Sequence, residues 1–196
     1  MYVKKGQRIF TEGNPANGLY ALYEGKVKIH QQLKSGQEQI VELLKPSDVF
    51  GYKALLCEEN YSFSATAIED SLVCLIAKDA FNTIIERSHS FKKDVIFKLA
   101  DQVSLVQKKL EMNAKTARER VLDALVNLVF VYGIEEETQA LNVTFNRKDL
   151  ANLAGLTLET TVRTLSALKN ESILELAGKQ IVIKDKSFLL EEAGVY

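Results

Sequence analysis

The hydrophobic period of this chain changes once, near Phe91, and that change constrains the fold more than any single motif. Before it, apolar residues come in short or alternating runs, Leu19 to Leu22, Val27 to His30, Gln39 to Leu44 and Ser71 to Ile76, each too brief for a comfortable helix and so expected as strands. Turn signals punctuate them: Gly13-Asn14-Pro15, Glu24-Gly25-Lys26, Lys34-Ser35-Gly36 and Lys45-Pro46-Ser47-Asp48. Many short strands with spaced glycines predict a jelly-roll-like double-stranded β-barrel over residues 1–90. Beyond Phe91 the spacing becomes helical, so the fold class expected is mixed α and β: an N-terminal barrel, a long central helix over 91–113 and a C-terminal module over 114–196.

The central helix carries Ile96, Leu99, Val103, Val106, Leu110 and Asn113 at alternating steps of three and four on one face. Lys98, Asp101, Gln102, Lys108 and Lys109 lie elsewhere. A helix of about 20 residues is roughly 30 Å long. Its apolar stripe could lie against the barrel or form the seam of a parallel dimer, and the heptad spacing favours the dimer. Asn113 at the end of the seam would weaken its last layer while fixing register or ending the pairing. A second helix is expected from about Lys115 to Tyr132, with Val121, Leu125, Leu128 and Val129 buried, Gly133 as its stop and Glu135-Glu136-Glu137 as a solvated link.

The stretch from about Asn142 to Asp185 predicts a winged helix-turn-helix. Asn146 can accept a hydrogen bond at an N-cap, Asp149 sits in the positive first turn, and Leu150, Leu153 and Ala154 supply an inner face. Gly155 can take the positive φ that a sharp reversal needs. Thr157 then caps a helix running to about Lys169, for which Val162, Leu165 and Leu168 are the expected packing stripe. Glu159 and Arg163, four apart near its N-terminal half, are the expected base readers. An arginine fork matches guanine O6 and N7, and a carboxylate accepts from cytosine N4. Taken alone, the pair would read as a surface ion pair worth about 0.3 to 0.5 kcal/mol; the caps and turn around it favour recognition. Ile173 to Leu176 and Gln180 to Ile183 form the expected wing across Ala177-Gly178-Lys179. Lys148, Thr157, Leu158, Thr160 and Lys179 are expected as auxiliary or phosphate contacts, which position the protein rather than specify sequence.

Charge supports this reading only weakly. Net charge is -1, yet residues 1–91 hold 10 Lys/Arg against 11 Asp/Glu while residues 143–186 hold 7 against 5. A slight basic bias therefore falls where DNA contact is expected. Cys57 and Cys74 match no metal or redox spacing and are expected as buried thiols. No apolar run approaches the roughly 18 residues of a membrane span, and no secretory signal opens the chain, so a cytoplasmic protein without membrane contact is expected.

With these features in place, the chain resembles the Crp/Fnr family of bacterial transcription regulators over nearly its full length. The resemblance runs from Lys5-Gly6-Gln7-Arg8-Ile9-Phe10-Thr11-Glu12-Gly13 and Gly18-Leu19-Tyr20-Ala21-Leu22-Tyr23-Glu24-Gly25-Lys26-Val27-Lys28-Ile29 through Pro46-Ser47-Asp48-Val49-Phe50-Gly51 and Ser64-Ala65-Thr66-Ala67-Ile68-Glu69-Asp70. Its most specific part is Arg147-Lys148-Asp149-Leu150-Ala151-Asn152-Leu153-Ala154-Gly155-Leu156-Thr157-Leu158-Glu159-Thr160-Thr161-Val162-Arg163-Thr164-Leu165. Glu159 and Arg163 match the family's base-reading Glu and Arg, while Leu158 stands where members that respond to cyclic AMP have another Arg. A different operator is therefore implied. The resemblance also implies a sensory barrel, a homodimer on a roughly palindromic operator with double-stranded DNA, and RNA polymerase as a further partner. The chain begins almost directly at the expected barrel, without the leading segment many relatives carry, which fits a naturally short member or one with altered activation contacts.

The same resemblance bears on ligands. Relatives that bind cyclic AMP place a Glu after the Gly that starts a short helical turn, and an Arg before Ser-Ala or Thr-Ala. Gly51 and Ala54-Leu55 match, but Tyr52 occupies the Glu place and Phe63, before Ser64 and Ala65, the Arg place. Phenylalanine offers no charge-assisted bond to a phosphate, and Lys53 is a point charge without the Arg fork. Cyclic nucleotide binding is thus not expected, and an unidentified small-molecule effector or an empty degenerate barrel stays open. Two cysteines cannot supply the four ligands of the family's iron-sulfur sensors within one chain, and His30 and His89 make haem a poor expectation. No cofactor, metal site or catalytic residue is expected. The alternative is a ligand-responsive protein-protein interaction module whose winged domain does not bind DNA specifically.

Overall fold

The computed structural model describes the backbone of residues 1–111 and 115–192, and the side chains of these apart from 105–111. The chain divides into two compact units, Met1–Gln31 with Glu42–Ala114 and Gln32–Val41 with Lys115–Tyr196. Strands β1 (Tyr2–Val3), β2 (Arg8–Phe10), β3 (Gly18–Glu24), β4 (Val27–Gln32), β5 (Glu38–Leu44) and β6 (Val49–Phe50) are followed by α1 (Tyr52–Leu56), β7 (Ser64–Ala67), β8 (Ser71–Ala77), α2 (Lys78–Arg87) and α3 (His89–Glu111).

These strands form two open four-stranded sheets, ordered β1-β8-β3-β6 and β2-β7-β4-β5. The expected double-stranded β-barrel is therefore not formed, since neither sheet closes on itself. Closure requires a strand hydrogen-bonded on both sides everywhere along the wall. Here β1 and β6 have two residues each and β2 has three, with a register break against β7, so the ladders run out at the edges. The sheets meet through aromatic rings. Phe10 of the second stacks on Tyr61 at 4.0 Å between centroids and lies 5.4 Å from Tyr20 and 5.9 Å from Phe50 of the first. Such contacts add to area burial rather than replace it.

A second apolar cluster joins Leu19, Tyr52, Leu55, Phe81 and Val95, with Phe91 and Leu99 packed against it. It divides the expected stripe of α3. Leu99 turns towards this cluster, whereas Ile96 and Val103, seven residues apart, are 64% and 59% exposed. The side chains of Val106 and Leu110, and Asn113 altogether, lie outside the described residues. Cys57 and Cys74 correct a second expectation, because both are exposed. Cys57 follows the end of α1, and Cys74 lies opposite the half-buried Ala21 in the β3–β8 ladder, on a face open to solvent at that position.

The second unit is built on α4 (Ala117–Tyr132), followed by α5 (Arg147–Ala154), α6 (Leu158–Asn170), the hairpin of β9 (Leu174–Ala177) and β10 (Gln180–Ile183), and α7 (Lys186–Glu192). Thr116 and Glu119 start α4 with reciprocal side-chain to backbone bonds, satisfying two donors the helix cannot satisfy itself. Val121, Leu122, Leu125 and Leu128 of α4 are completely buried, as are Leu150 of α5 and Leu168 of α6. Truncating such a side chain to alanine typically costs about 2–5 kcal/mol. Among the described residues, no helix is long and apolar enough to cross a membrane.

Candidate nucleic-acid interface

The helix-turn-helix is specified residue by residue. Asn146 precedes α5 in extended backbone and its Oδ1 accepts from the Asp149 amide at 2.7 Å, while its Nδ2 donates to the Asp149 carboxylate at 2.6 Å. Leu150 and Ala154 are fully buried, as expected, and Ala151 and Asn152 join them while Leu153 is only half-buried. Gly155 ends the helix at φ 63° and ψ 38°, the left-handed conformation that a side chain disfavours. Thr157 then caps α6, accepting from the Thr160 amide at 3.2 Å.

Arg120 of α4 braces this turn, a role the sequence reading did not identify. Its Nε donates to the Ala154 carbonyl at 3.0 Å and its Nη2 to the Gly155 carbonyl at 2.5 Å, so one guanidinium satisfies two carbonyls left over at the end of α5. A Cβ on Gly155 would stand 2.5 Å from that Nη2. At the other end of α6, Arg118 makes a paired contact to Glu171, at 2.9 and 2.6 Å. The contact raises the Arg118 guanidinium above its usual range and lowers the Glu171 carboxyl below its own. The tip of the β4–β5 hairpin also belongs to this unit. Gln37 Nε2 donates to the Leu156 carbonyl at 2.8 Å, and the buried Asn152 donates to the Glu38 carboxylate at 3.2 Å.

α6 is anchored by Thr161, Leu165 and Leu168. Val162 leaves the expected packing stripe and is 43% exposed; Thr161 takes its place because its hydroxyl donates to the Thr157 carbonyl at 2.9 Å, which lets a polar side chain be buried. Glu159 and Arg163 are both exposed, one turn apart, and form no hydrogen bond or ion pair with any described residue. Leu158 is exposed beside them, and Thr160 is half-buried with its hydroxyl accepting from Thr157 at 2.9 Å. Lys148 is exposed on the first turn of α5.

The wing is a hairpin in register Ala177↔Gln180, joined by Gly178 and Lys179. Gly178 has φ 60°, and positive φ at only the first of two linking residues is the pattern of a type II′ turn. Lys179 is exposed at the tip. Arg147 tethers that tip to α5 by donating from Nη2 to the Gly178 carbonyl at 3.2 Å; its Nη1 is buried without a partner among the described residues, and burial lowers its pKa. The segment before α5 adds to the wing through an antiparallel bridge from Ala140 to Val182. The structure thus gathers Lys148, Thr157, Leu158, Glu159, Thr160, Arg163 and Lys179 within one unit.

The residues expected at an effector pocket are placed differently. Tyr52 sits in the core cluster, where burial, then Glu42, Asp101 and Asp48, push its hydroxyl up to about 12. Lys53 is exposed with its Nζ 5.9 Å from the centre of the Phe63 ring. The Ser64 hydroxyl accepts from the Glu12 amide at 3.0 Å, Ala65 is buried opposite Phe10, and Gly51 precedes α1 at φ 83°. His30 is buried with its Nε2 2.8 Å from the Thr66 hydroxyl, and His89 is exposed at the start of α3.

Comparison with known proteins agrees with the geometry of the second unit. The cyclic nucleotide-binding domain family matches residues 1–88, and the Crp-like helix-turn-helix domain family matches residues 119–192. The anaerobic regulatory protein of Pasteurella multocida is 30% identical over 194 residues, 98% of this chain and 71% of the relative. The fumarate and nitrate reduction regulatory protein of Vibrio cholerae is 29% identical over 98% of this chain and 78% of its own. FixK2 from Bradyrhizobium japonicum superposes with a TM-score of 0.85 at 26% identity, covering 97% of this chain and 94% of that one. With two capped helices around a left-handed glycine and a wing beside them, the chain belongs to the Crp/Fnr family and is a sequence-specific DNA-binding regulator of transcription.

Proposed function

We propose that the chain acts as a homodimer on a roughly palindromic operator, with Glu159 and Arg163 of each α6 reading base edges in successive major grooves. The observation that carries this reading is their exposure, one turn apart and unpaired among the described residues, at the N-terminal half of the helix that follows the turn. Arg163 can donate a fork to guanine and Glu159 can accept from cytosine, each contact discriminating by roughly 1 to 3 kcal/mol. Lys148, Thr157, Thr160 and Lys179 hold the phosphates on either side and fix register without reading sequence. Arg147 acts by positioning Lys179 through the wing tip.

Dimerisation is assigned to α3. Ile96 and Val103 are exposed and one heptad apart, a combination that favours a helical seam over a solvated face. Two-fold symmetry then sets the recognition helices about 34 Å apart. Binding at such a site acts by recruiting or blocking RNA polymerase.

The input is not cyclic AMP bound through the Glu and Arg contacts of its responsive relatives. Tyr52 is committed to the core, and Phe63 lies against Lys53 with no fork to offer a cyclic phosphate. Another small molecule, or none, sets the activity, and no haem or metal is invoked. Selection from a pool of random duplexes tests the whole reading: an inverted repeat should be enriched, and cyclic AMP should leave its affinity unchanged. Failure to enrich any repeat refutes the operator reading, and tighter binding with cyclic AMP refutes the input reading.

A further inference from the structure

We infer that Leu158 and Val162 form a second reading strip on α6, one that recognises the C5-methyl group of thymine beside the base pair read by Glu159 and Arg163. The inference rests on α6 being the recognition helix. Leu158 is 49% exposed and Val162 43% exposed, and they are four residues apart, so their side chains are neighbours on the helix surface. Each residue of a helix advances by about 100°, which sets this strip directly alongside the one made by Glu159 and Arg163.

The core does not need either side chain. Thr161, Leu165 and Leu168 already close the buried face of α6. Among the described residues of the second unit, the exposed large hydrophobics are Phe130, Leu158 and Val162, so two of the three stand together on this helix. An isolated exposed leucine would call for no explanation. A paired apolar strip on the surface that meets base edges is different, because it selects among the groups the groove presents.

The major groove offers donors, acceptors and one apolar group, the thymine methyl. Opposite Leu158 and Val162, a cytosine amino group or a guanine carbonyl would lose water without gaining a partner. A methyl group loses no hydrogen bond there and gains apolar contact. The strip thus adds an A·T requirement to each half-site by attraction to the methyl and by exclusion of polar edges.

Replacing thymidine by deoxyuridine in the selected operator removes the methyl and leaves every hydrogen-bonding group in place. Each thymine would be replaced in turn, and binding measured for the full chain and for Leu158→Ala and Val162→Ala. At one symmetric position the natural protein should lose about fourfold in affinity per half-site, or about fifteenfold with both replaced, from the transfer value of one methyl-sized group. In at least one variant that sensitivity should fall towards one, whatever its absolute affinity. Insensitivity of the natural protein at every thymine, or equal sensitivity in both variants, overturns the inference. Absence of sequence-specific binding to any duplex instead refutes the underlying assignment of α6, and the inference with it.

Discussion

Replacing Gly155 by alanine should damage the turn in two separable ways. At φ 63° an alanine enters the left-handed region, at a cost of about 1–2 kcal/mol. Its Cβ would also stand 2.5 Å from Arg120 Nη2, but that atom ends a flexible side chain and can move. The second cost is therefore the loss of the bonds from Arg120 to the Ala154 and Gly155 carbonyls, and hydrogen bonds from a charged donor are worth roughly 1.5–3 kcal/mol each. Arg120 is only half-buried, so water offsets part of this and a total near 2 kcal/mol is expected. A double-mutant cycle isolates the term. Gly155→Ala should cost about 3 kcal/mol in the natural chain but only about 1 in Arg120→Ala, a coupling near 2 kcal/mol. Urea unfolding followed by circular dichroism measures it, with midpoints moving by roughly 1 M per 1–3 kcal/mol. Additivity within about 0.5 kcal/mol would show that Arg120 does not brace the turn.

Arg163→Ala should lose roughly 1–3 kcal/mol at one symmetric base pair, whereas Lys179→Ala should weaken all sites alike and lower the salt dependence by about one ion; titrations on single-base operator variants at several salt concentrations separate the two. Ile96→Glu with Val103→Glu should turn the dimer into a monomer at micromolar concentration, and an unchanged mass by light scattering would contradict the α3 seam. Tyr52 and Tyr61 are each pushed up to about 12, principally by burial. Because the fold holds their protons more tightly than the unfolded chain does, stability should be intact below about pH 10 and fall as pH rises from there towards 12. Unfolding curves across that range should flatten in Tyr52→Phe.

The most legible parts were those with a chemical signal at each boundary. Asn146, Gly155 and Thr157 mark the ends of α5 and α6, and all three adopt the backbone their side chains predict. The long strands β3, β4, β5 and β8 were also readable, because each carries a sustained apolar run. What failed depended on distant partners. β1, β2 and β6 are two or three residues long and are defined by the strands they meet, so spaced glycines could not say whether the sheets would close. α2 follows Ala77, which supplies no side-chain cap, and buries only Phe81, leaving little for a periodic reading to find. Val162 and Thr161 fit the helical spacing about equally, and a hydroxyl bonded to the backbone decided between them. Arg120 reaches across 34 residues to the turn it braces, a relation no local pattern contains.

The same dependence on place explains the two halves of the candidate function. DNA reading is written into a continuous stretch, whereas the residues matched to a cyclic-nucleotide cassette are drawn into other roles by packing, Tyr52 above all. Sequence alone could note the missing Glu and Arg; only the fold shows that a core side chain stands in the Glu place.

The most direct test of sequence-specific recognition by α6 is the affinity of the full chain for its selected operator relative to a scrambled duplex at physiological salt. A ratio on the order of 10³ or more, reduced by Glu159→Ala and by Arg163→Ala without equal loss on the scrambled duplex, is the result predicted. A ratio near one, or equal loss on both duplexes in these variants, would contradict it.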